Sequence, residues 1–332
     1  MNRQARQQIL TNLRQTINLN WNRLRQELVQ YQLRHPQDEI KLTDFVNDQA
    51  IELTDIYRKG SGQTASGWTR LKRDAEIISP TFTAQETSIN RRFKDVLHLD
   101  DPDYIDVIRK LGQHVSISPT SPQYKRALMF TYQVKGGRST QSVAELQTEL
   151  NECPELAKEL IELSDALDAR TNQSFYEIPG IKWTGLKLHS SYKIREILTA
   201  FEYYTETRYS PFQAGVWRDF ERKIEALFVT LDKSNALHEG VEYNDYAISP
   251  ELFHWQSQNT TGPATAAGLR YIQGAEEGWQ FQLFVRLNKD SPYRPCGPVE
   301  FVKHEGAAPM SITWRLAHPL PAHLFQEFSV VR

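Results

Sequence analysis

The chain has 332 residues, 39% of them hydrophobic and 24% charged, which is the profile of a folded protein of about two domains rather than a disordered one. The formal net charge is −2, so any binding to nucleic acid has to come from a local basic patch and not from the global balance. No apolar run approaches the ~20 residues of a membrane helix. "MNRQARQQIL" lacks an apolar signal-peptide core, and two distant cysteines, Cys153 and Cys296, make neither a disulfide framework nor a zinc site. The expected compartment is the cytoplasm.

The first half reads as helical. Leu10, Leu13, Ile17, Trp21, Leu24, Leu28 and Tyr31 recur at three- and four-residue steps, on one helix face. Arg3, Arg6, Arg14, Arg23 and Arg25 lie between them, either as a solvated face or as a face that follows a phosphate backbone or an acidic partner. "LTDFVNDQAIELTDIYR" offers Thr43 or Asp44 as an N-cap, and Thr83 followed by Glu86 has capping-box spacing. "YRKGSGQTASGWTRLKRDA" reads as a Gly/Ser loop leading to basic residues. Pro102 marks another helix start, and Pro154 divides "SVAELQTELNECPELAKELIELSDALDAR" into two helices.

Near residue 175 the hydrophobic period changes. "FYEIPGIKWTGLKLHSSY" suggests short strand-like runs, and "YKIREILTAFEYY" is one more amphipathic helix. "GVWRDF", "IEALFVTLDK", "FHWQSQ", "LRYIQ", "FQLFVRL", "PVEFVKHEG" and "MSITWRL" then read as short strands. "EALFVTL" is apolar enough for burial on both faces, whereas "QFQLFVRL" alternates as a half-exposed strand would. The expected class is α+β: a helical domain over residues 1–180, then a β-rich, barrel-like domain over 181–332.

Motifs for the common chemistries are missing. The sequence has no GxxxxGK[ST], no HExxH, no paired cysteines and no GxSxG. Asp100 and Asp101 suit a helix N-terminus. His254, His304 and His318 show no metal-ligand spacing, so neither a metal nor a cofactor is expected. Two stretches stand out: "FVKHEGAAPMSITWRL", which reads as two strands joined by a turn at Gly306 and Pro309, and "EYNDYAISPELFHWQSQNTT". A flipped cytosine needs aromatic faces, an acceptor for its 4-amino group and donors for its carbonyl. Tyr243, Tyr246 or Trp255 would stack, Asp245 would accept from the amino group, and Ser257 and Gln258 would add polar contacts. In a strand, Phe253, Trp255 and Ser257 share one face and His254, Gln256 and Gln258 the other. The same residues also fit a packed aromatic cluster with Asp245 capping a turn. Lys193, Arg195, Arg270 and Lys303 are the candidates for the DNA backbone.

The second half, from Tyr192 to Phe325, resembles the C-terminal region of bacterial superfamily-two helicases that carry a phospholipase-D-type nuclease. These include the SauUSI-type, ATP-dependent type IV restriction enzymes directed at 5-methylcytosine and 5-hydroxymethylcytosine. "FHWQSQNTT" and "EGAAPMSITWRL" carry the resemblance most specifically, and it extends more weakly over the helical half. The resemblance implies a target-recognition domain like the SET-and-RING-associated (SRA) domains, which flip modified cytosine. It also implies a helical segment coupling recognition to a motor. It implies double-stranded DNA carrying modified cytosine as one partner, and helicase and nuclease domains, in this or another chain, as the other. No helicase or HxK-type nuclease motif is present, so the chain by itself is not expected to be an enzyme. Two other readings stay open. One is a non-catalytic protein–protein coupling module without a base pocket. The other is a hydrolase built on Asp245, His254 and His304.

Overall fold

A computed structural model describes residues 20–36, 38–49, 51–58, 66–171, 176–231 and 245–329. The chain divides into two compact units. Met1–Asn172 with Thr205–Tyr209 form the first, and Gln173–Tyr204 with Ser210–Arg332 the second. Sequence reasoning set the division at 180/181; here the chain passes into the second unit at 172/173 and the segment at 205–209 returns to the first.

The first unit is helical among its described residues: α1 (Trp21–Arg34), α2 (Leu42–Asp48), α3 (Leu53–Ile56), α4 (Trp68–Asp74), α5 (Ala84–Asn90), α6 (Pro102–Gly112), α7 (Tyr124–Lys135), α8 (Val143–Glu152) and α9 (Pro154–Asp168). Of the long N-terminal stripe, Leu24, Leu28 and Tyr31 are buried on α1, while residues 1–19, with most of the arginine-rich face, lie outside the described residues. Pro154 does separate α8 from α9, and Asp101 caps α6 with Pro102 in its first turn. Thr83 Oγ1 accepts from the Glu86 amide at 3.0 Å, half of a capping box; the Glu86 carboxylate instead pairs with Arg73 at 2.7 Å.

Two carboxylates on α9 do the work expected of local caps. Glu159 accepts the Trp68 and Thr69 amides at 2.9 and 2.8 Å, where α4 begins after Gly67, which has no side chain to cap it. Glu162 accepts the Leu42 amide at 2.5 Å and Trp68 Nε1 at 3.0 Å, so α2 starts at Leu42 rather than after Thr43 or Asp44. Negative charge at a helix N-terminus is favourable wherever in the sequence it originates. Glu206, from the returning segment, caps α8 in the same way, through the Val143 amide at 2.9 Å.

Among its described residues the second unit holds α10 (Ile194–Ala200), α11 (Ala266–Gln273), α12 (Ala322–Phe328) and seven strands. The strands are β1 (Val216–Asp219), β2 (Ile224–Thr230), β3 (Tyr246–Ser249), β4 (Leu252–Gln256), β5 (Gln280–Arg286), β6 (Arg294–Glu305) and β7 (Ser311–Leu316). They form one sheet in the order β1-β2-β5-β6-β7-β4-β3, antiparallel except for β2 beside β5. The class is mixed α+β, with the helical region preceding the sheet. The sheet is open, which corrects the expected barrel: among the described residues β1 and β3 are its two edges and do not pair with each other. It is nevertheless curled. Val216 of β1 and Ala247 of β3, from opposite ends of the strand order, belong to one hydrophobic core with Leu227, Phe253, Leu283 and Trp314.

Two local expectations fail for tertiary reasons. "LRYIQ" is helical, within α11, because Thr265 caps the helix by accepting the Gly268 amide at 3.1 Å and Tyr271 is drawn into the core. "QFQLFVRL" is not half-exposed: Gln282 and Phe284 of β5 are as buried as their neighbours. Gln282 donates to the Pro179 carbonyl at 2.9 Å, and Phe284 packs edge-on against Phe201 of the segment after α10. β2 is buried on both faces, as its apolar run indicates. "FYEIPGIKWTGLKLHSSY" contributes isolated bridges and a 3₁₀ turn rather than strands.

Candidate functional site

The curl leaves a pocket of about 210 Å³ at the seam between the two sheet edges. One wall is Gly215, Val216, Phe228, Val229 and Thr230; the other is Asp245, Trp255, Gln256, Ser257 and Gln258. That volume is on the scale of one small planar group rather than of a dinucleotide.

Among the described residues both edge ladders end beside the pocket. β1 pairs with β2 only as far as Val216↔Leu227, and the Phe228 amide donates to the Gly215 carbonyl at 2.8 Å. Leu231 N–H bonds back toward β5, through the Arg286 carbonyl at 3.0 Å. Peptide groups alternate along a strand, so those of Thr230 turn the other way, to the side that β1 leaves uncovered. On the opposite wall, β3 pairs with β4 only as far as Tyr246↔His254. The Gln256 amide beyond that point donates to Asp245 Oδ1 at 2.8 Å. The Asp245 side chain thus takes a main-chain amide of the facing segment just past the last described pair.

Four of the six expected base-pocket residues, Asp245, Trp255, Ser257 and Gln258, meet in this pocket. Tyr243 lies outside the described residues. Tyr246 is not in the pocket: it stacks on His254, ring centroids 5.0 Å apart and 15° from parallel, on the sheet's other face. Strand alternation that brings Trp255 inward sends its neighbour His254, and the Tyr246 paired with it, outward. Trp255 is both wall and core, edge-on to Tyr271 at 5.3 Å. The Ser257 hydroxyl is already engaged, accepting the Met310 amide at 2.9 Å and donating toward the Thr261 carbonyl at 3.1 Å. Phe228, Gln256 and Thr230 were missed by sequence reasoning. Phe228 and Thr230 sit in a strand whose pattern signals only burial, and nothing local shows that β2 faces β4.

The expected backbone-binding cations do not form a set. Arg270 belongs to a buried network: its Nε donates to Glu225 Oε2 at 2.7 Å, Tyr271 donates to Glu225 Oε1 at 2.8 Å, and Arg218 pairs with Glu225 at 3.0 Å. Glu225 has no exposed surface, so the arginines serve to neutralise it. Lys303 is exposed but paired with Glu305 at 2.7 Å. Lys193 Nζ donates to the Asp290 carbonyl. Arg195, on α10, is partly exposed. The hydrolase grouping does not assemble either: His254 and His304 are not among the residues around the pocket that holds Asp245. His304 pairs with Ile312, a core position, and His254 with Thr313, one residue on, so the two imidazoles point to opposite faces. Among the described residues no group of three or more His, Cys, Asp or Glu is placed to hold a metal ion. No described helix is long and apolar enough to cross a membrane.

Residues 186–328 match the model of a domain of unknown function, DUF3427. The match takes in the whole sheet and the pocket and covers less than half of the chain. No curated protein matches the chain.

Proposed function

We propose that the second unit is a DNA-binding module that recognises 5-methyl- or 5-hydroxymethylcytosine by flipping it into the seam pocket. It would be the recognition part of an SRA-like, modification-dependent restriction system, and not an enzyme by itself. The observation that carries the reading is the convergence of Asp245, Trp255 and the Gln256–Gln258 segment on a pocket sized for one small planar group. A carboxylate has about four lone-pair sites, so Asp245 can keep its contacts within the fold, the Gln256 amide among them, and accept from an amino group. That preference separates cytosine from thymine, whose corresponding position is a carbonyl. Phe228, Val216, Val229 and Trp255 supply apolar surface, and a buried methyl adds only about 0.8 kcal/mol. A modest preference for the methylated base follows. The resemblance of the second half to target-recognition regions supports the same reading.

The rival is a protein-coupling module. It has one observation in its favour, the exposed Phe220 at the β1–β2 turn, edge-on to Trp279 at 5.5 Å and backed by Arg270. Binding of the protein to methylated and unmodified duplexes of one sequence separates the two. Preference for the methylated duplex supports the base pocket; equal or absent binding supports the rival.

A further inference from the structure

Arg286 ends β5, in register with Thr230, the last residue of the parallel strand β2 and a wall of the pocket. Three contacts fix its guanidinium. Nε donates to Thr230 Oγ1 at 2.8 Å, Nη1 donates to the Lys289 carbonyl at 3.2 Å, and the group lies 4.5 Å from the centroid of the Tyr293 ring. None of these is a counter-charge, and among the described residues no carboxylate pairs with Arg286 or with the exposed Lys289. The turn that carries Lys289 is ordered. Asn288 Oδ1 accepts the amides of Asp290 and Ser291 and the Ser291 hydroxyl, each at 3.0 Å. Lys193 Nζ, on the Asp290 carbonyl, brings a third cation to the same turn. Arg286 and Lys289 are thus two cations without a paired carboxylate among the described residues, beside the pocket in a chain whose net charge is −2.

We propose that Arg286 and Lys289 form a phosphate site, and that the pocket takes a base which carries a phosphate rather than a free base. The proposal rests on the reading of the pocket as a base site. A guanidinium whose position is already set loses little freedom on binding, and its remaining N–H groups suit phosphate oxygens. The lysine adds a flexible point charge. The phosphate could come from a polynucleotide backbone or from a free nucleotide; the chemistry is shared and the experiment tells them apart.

The wild type, Lys289→Ala and Arg286→Lys are titrated at several salt concentrations with three probes: a duplex bearing one 5-methylcytosine, the same duplex unmodified, and 5-methyldeoxycytidine 5′-monophosphate. If the source is the backbone, Lys289→Ala weakens both duplexes several-fold and alike. It also lowers the slope of log K against log salt by about 1. If the source is a nucleotide, only the monophosphate loses affinity. Either result supports the site. Arg286→Lys keeps the charge but loses the fork and the bonds to Thr230 and the Lys289 carbonyl, so a small fall in thermal stability and a lower affinity of the folded protein are expected; a fall in stability with unchanged affinity gives Arg286 a structural role only. Unchanged affinities and slopes in both variants overturn the phosphate site and leave the base pocket to be judged by Asp245→Asn. A lower slope in Lys289→Ala, with no wild-type preference for the methylated duplex, keeps the phosphate contact and overturns the base reading. If the wild type binds none of the probes, both fall.

Discussion

Ser257 and Met310 hold each other by main chain and side chain together. The Ser257 amide donates to the Met310 carbonyl at 2.9 Å, and the Met310 amide donates to Ser257 Oγ at 2.9 Å. The two stretches involved, "FHWQSQNTTG" and "EGAAPMSITWRL", lie some fifty residues apart and are fully buried at this point. Two glycines close the same contact. A Cβ on Gly262 would lie 2.6 Å from the Ala307 carbonyl oxygen, and one on Gly268 would lie 2.0 Å from that of Gly262. The pocket's far wall is thus clamped to the β6–β7 connection.

Ser257→Ala is expected to lower unfolding stability by about 1–3 kcal/mol, because the buried Met310 amide loses its acceptor. Urea denaturation measures it. The hydroxyl is committed to the clamp, so the folded variant should keep the wild-type preference between methylated and unmodified duplexes. A lost preference at normal stability would instead make Ser257 a base contact.

Gly268→Ala should be worse, despite alanine's better helix propensity, because backbone rather than a movable side chain blocks the added methyl. A loss of at least about 2 kcal/mol is expected. A stabilised Gly268→Ala protein would show that α11 can shift away from the loop at Gly262.

Asp245→Asn keeps an acceptor for the Gln256 amide and removes the charge. Stability should change by less than about 1 kcal/mol while discrimination between 5-methylcytosine and thymine falls. If the folded variant discriminates as the wild type does, Asp245 is only the ladder's end.

Glu225→Ala should destabilise strongly, by about 3–5 kcal/mol, since it leaves the Arg218 and Arg270 guanidiniums beside a buried space without their shared carboxylate. Arg270→Ala should lower the melting temperature without changing the salt slope of DNA binding, in contrast with Lys289→Ala.

His189 gives the pH dependence. Burial, then the positive charge of His318, His323 and Arg294, lowers its pKa to about 4. Its Nε2 is buried without a hydrogen-bond partner. A base with a depressed folded pKa takes up its proton in the unfolded state first, near pH 6.5, so stability falls as the pH drops from about 6.5 to 4. The full loss is on the order of 3 kcal/mol. His189 has a φ of 63°, a conformation asparagine tolerates, so His189→Asn should fold and flatten this part of the pH profile. A slope equal to that of the wild type would place the acid sensitivity elsewhere.

What the sequence by itself determined is what short-range pattern controls. Apolar steps of three and four made the first half helical, Pro154 split α8 from α9, and the uninterrupted run in β2 meant burial on both faces. It also marked Asp245, Trp255, Ser257 and Gln258 as belonging together, because they lie at the open end of one hairpin, Asp245 just before β3, Trp255 in β4 and the other two just after it. Only the tertiary structure decided what faces them. β1 and β2 reach the pocket from the far end of the strand order by the curl of an open sheet, and no local pattern encodes that curl. The fate of each cation was equally invisible. Arg270 and Arg286 look alike in sequence, but one lies over a fully buried Glu225 and the other over a threonine and a tyrosine. Whether a guanidinium is spent inside the fold or left to meet a ligand depends on which carboxylates folding brings within reach, and those lie tens of residues away.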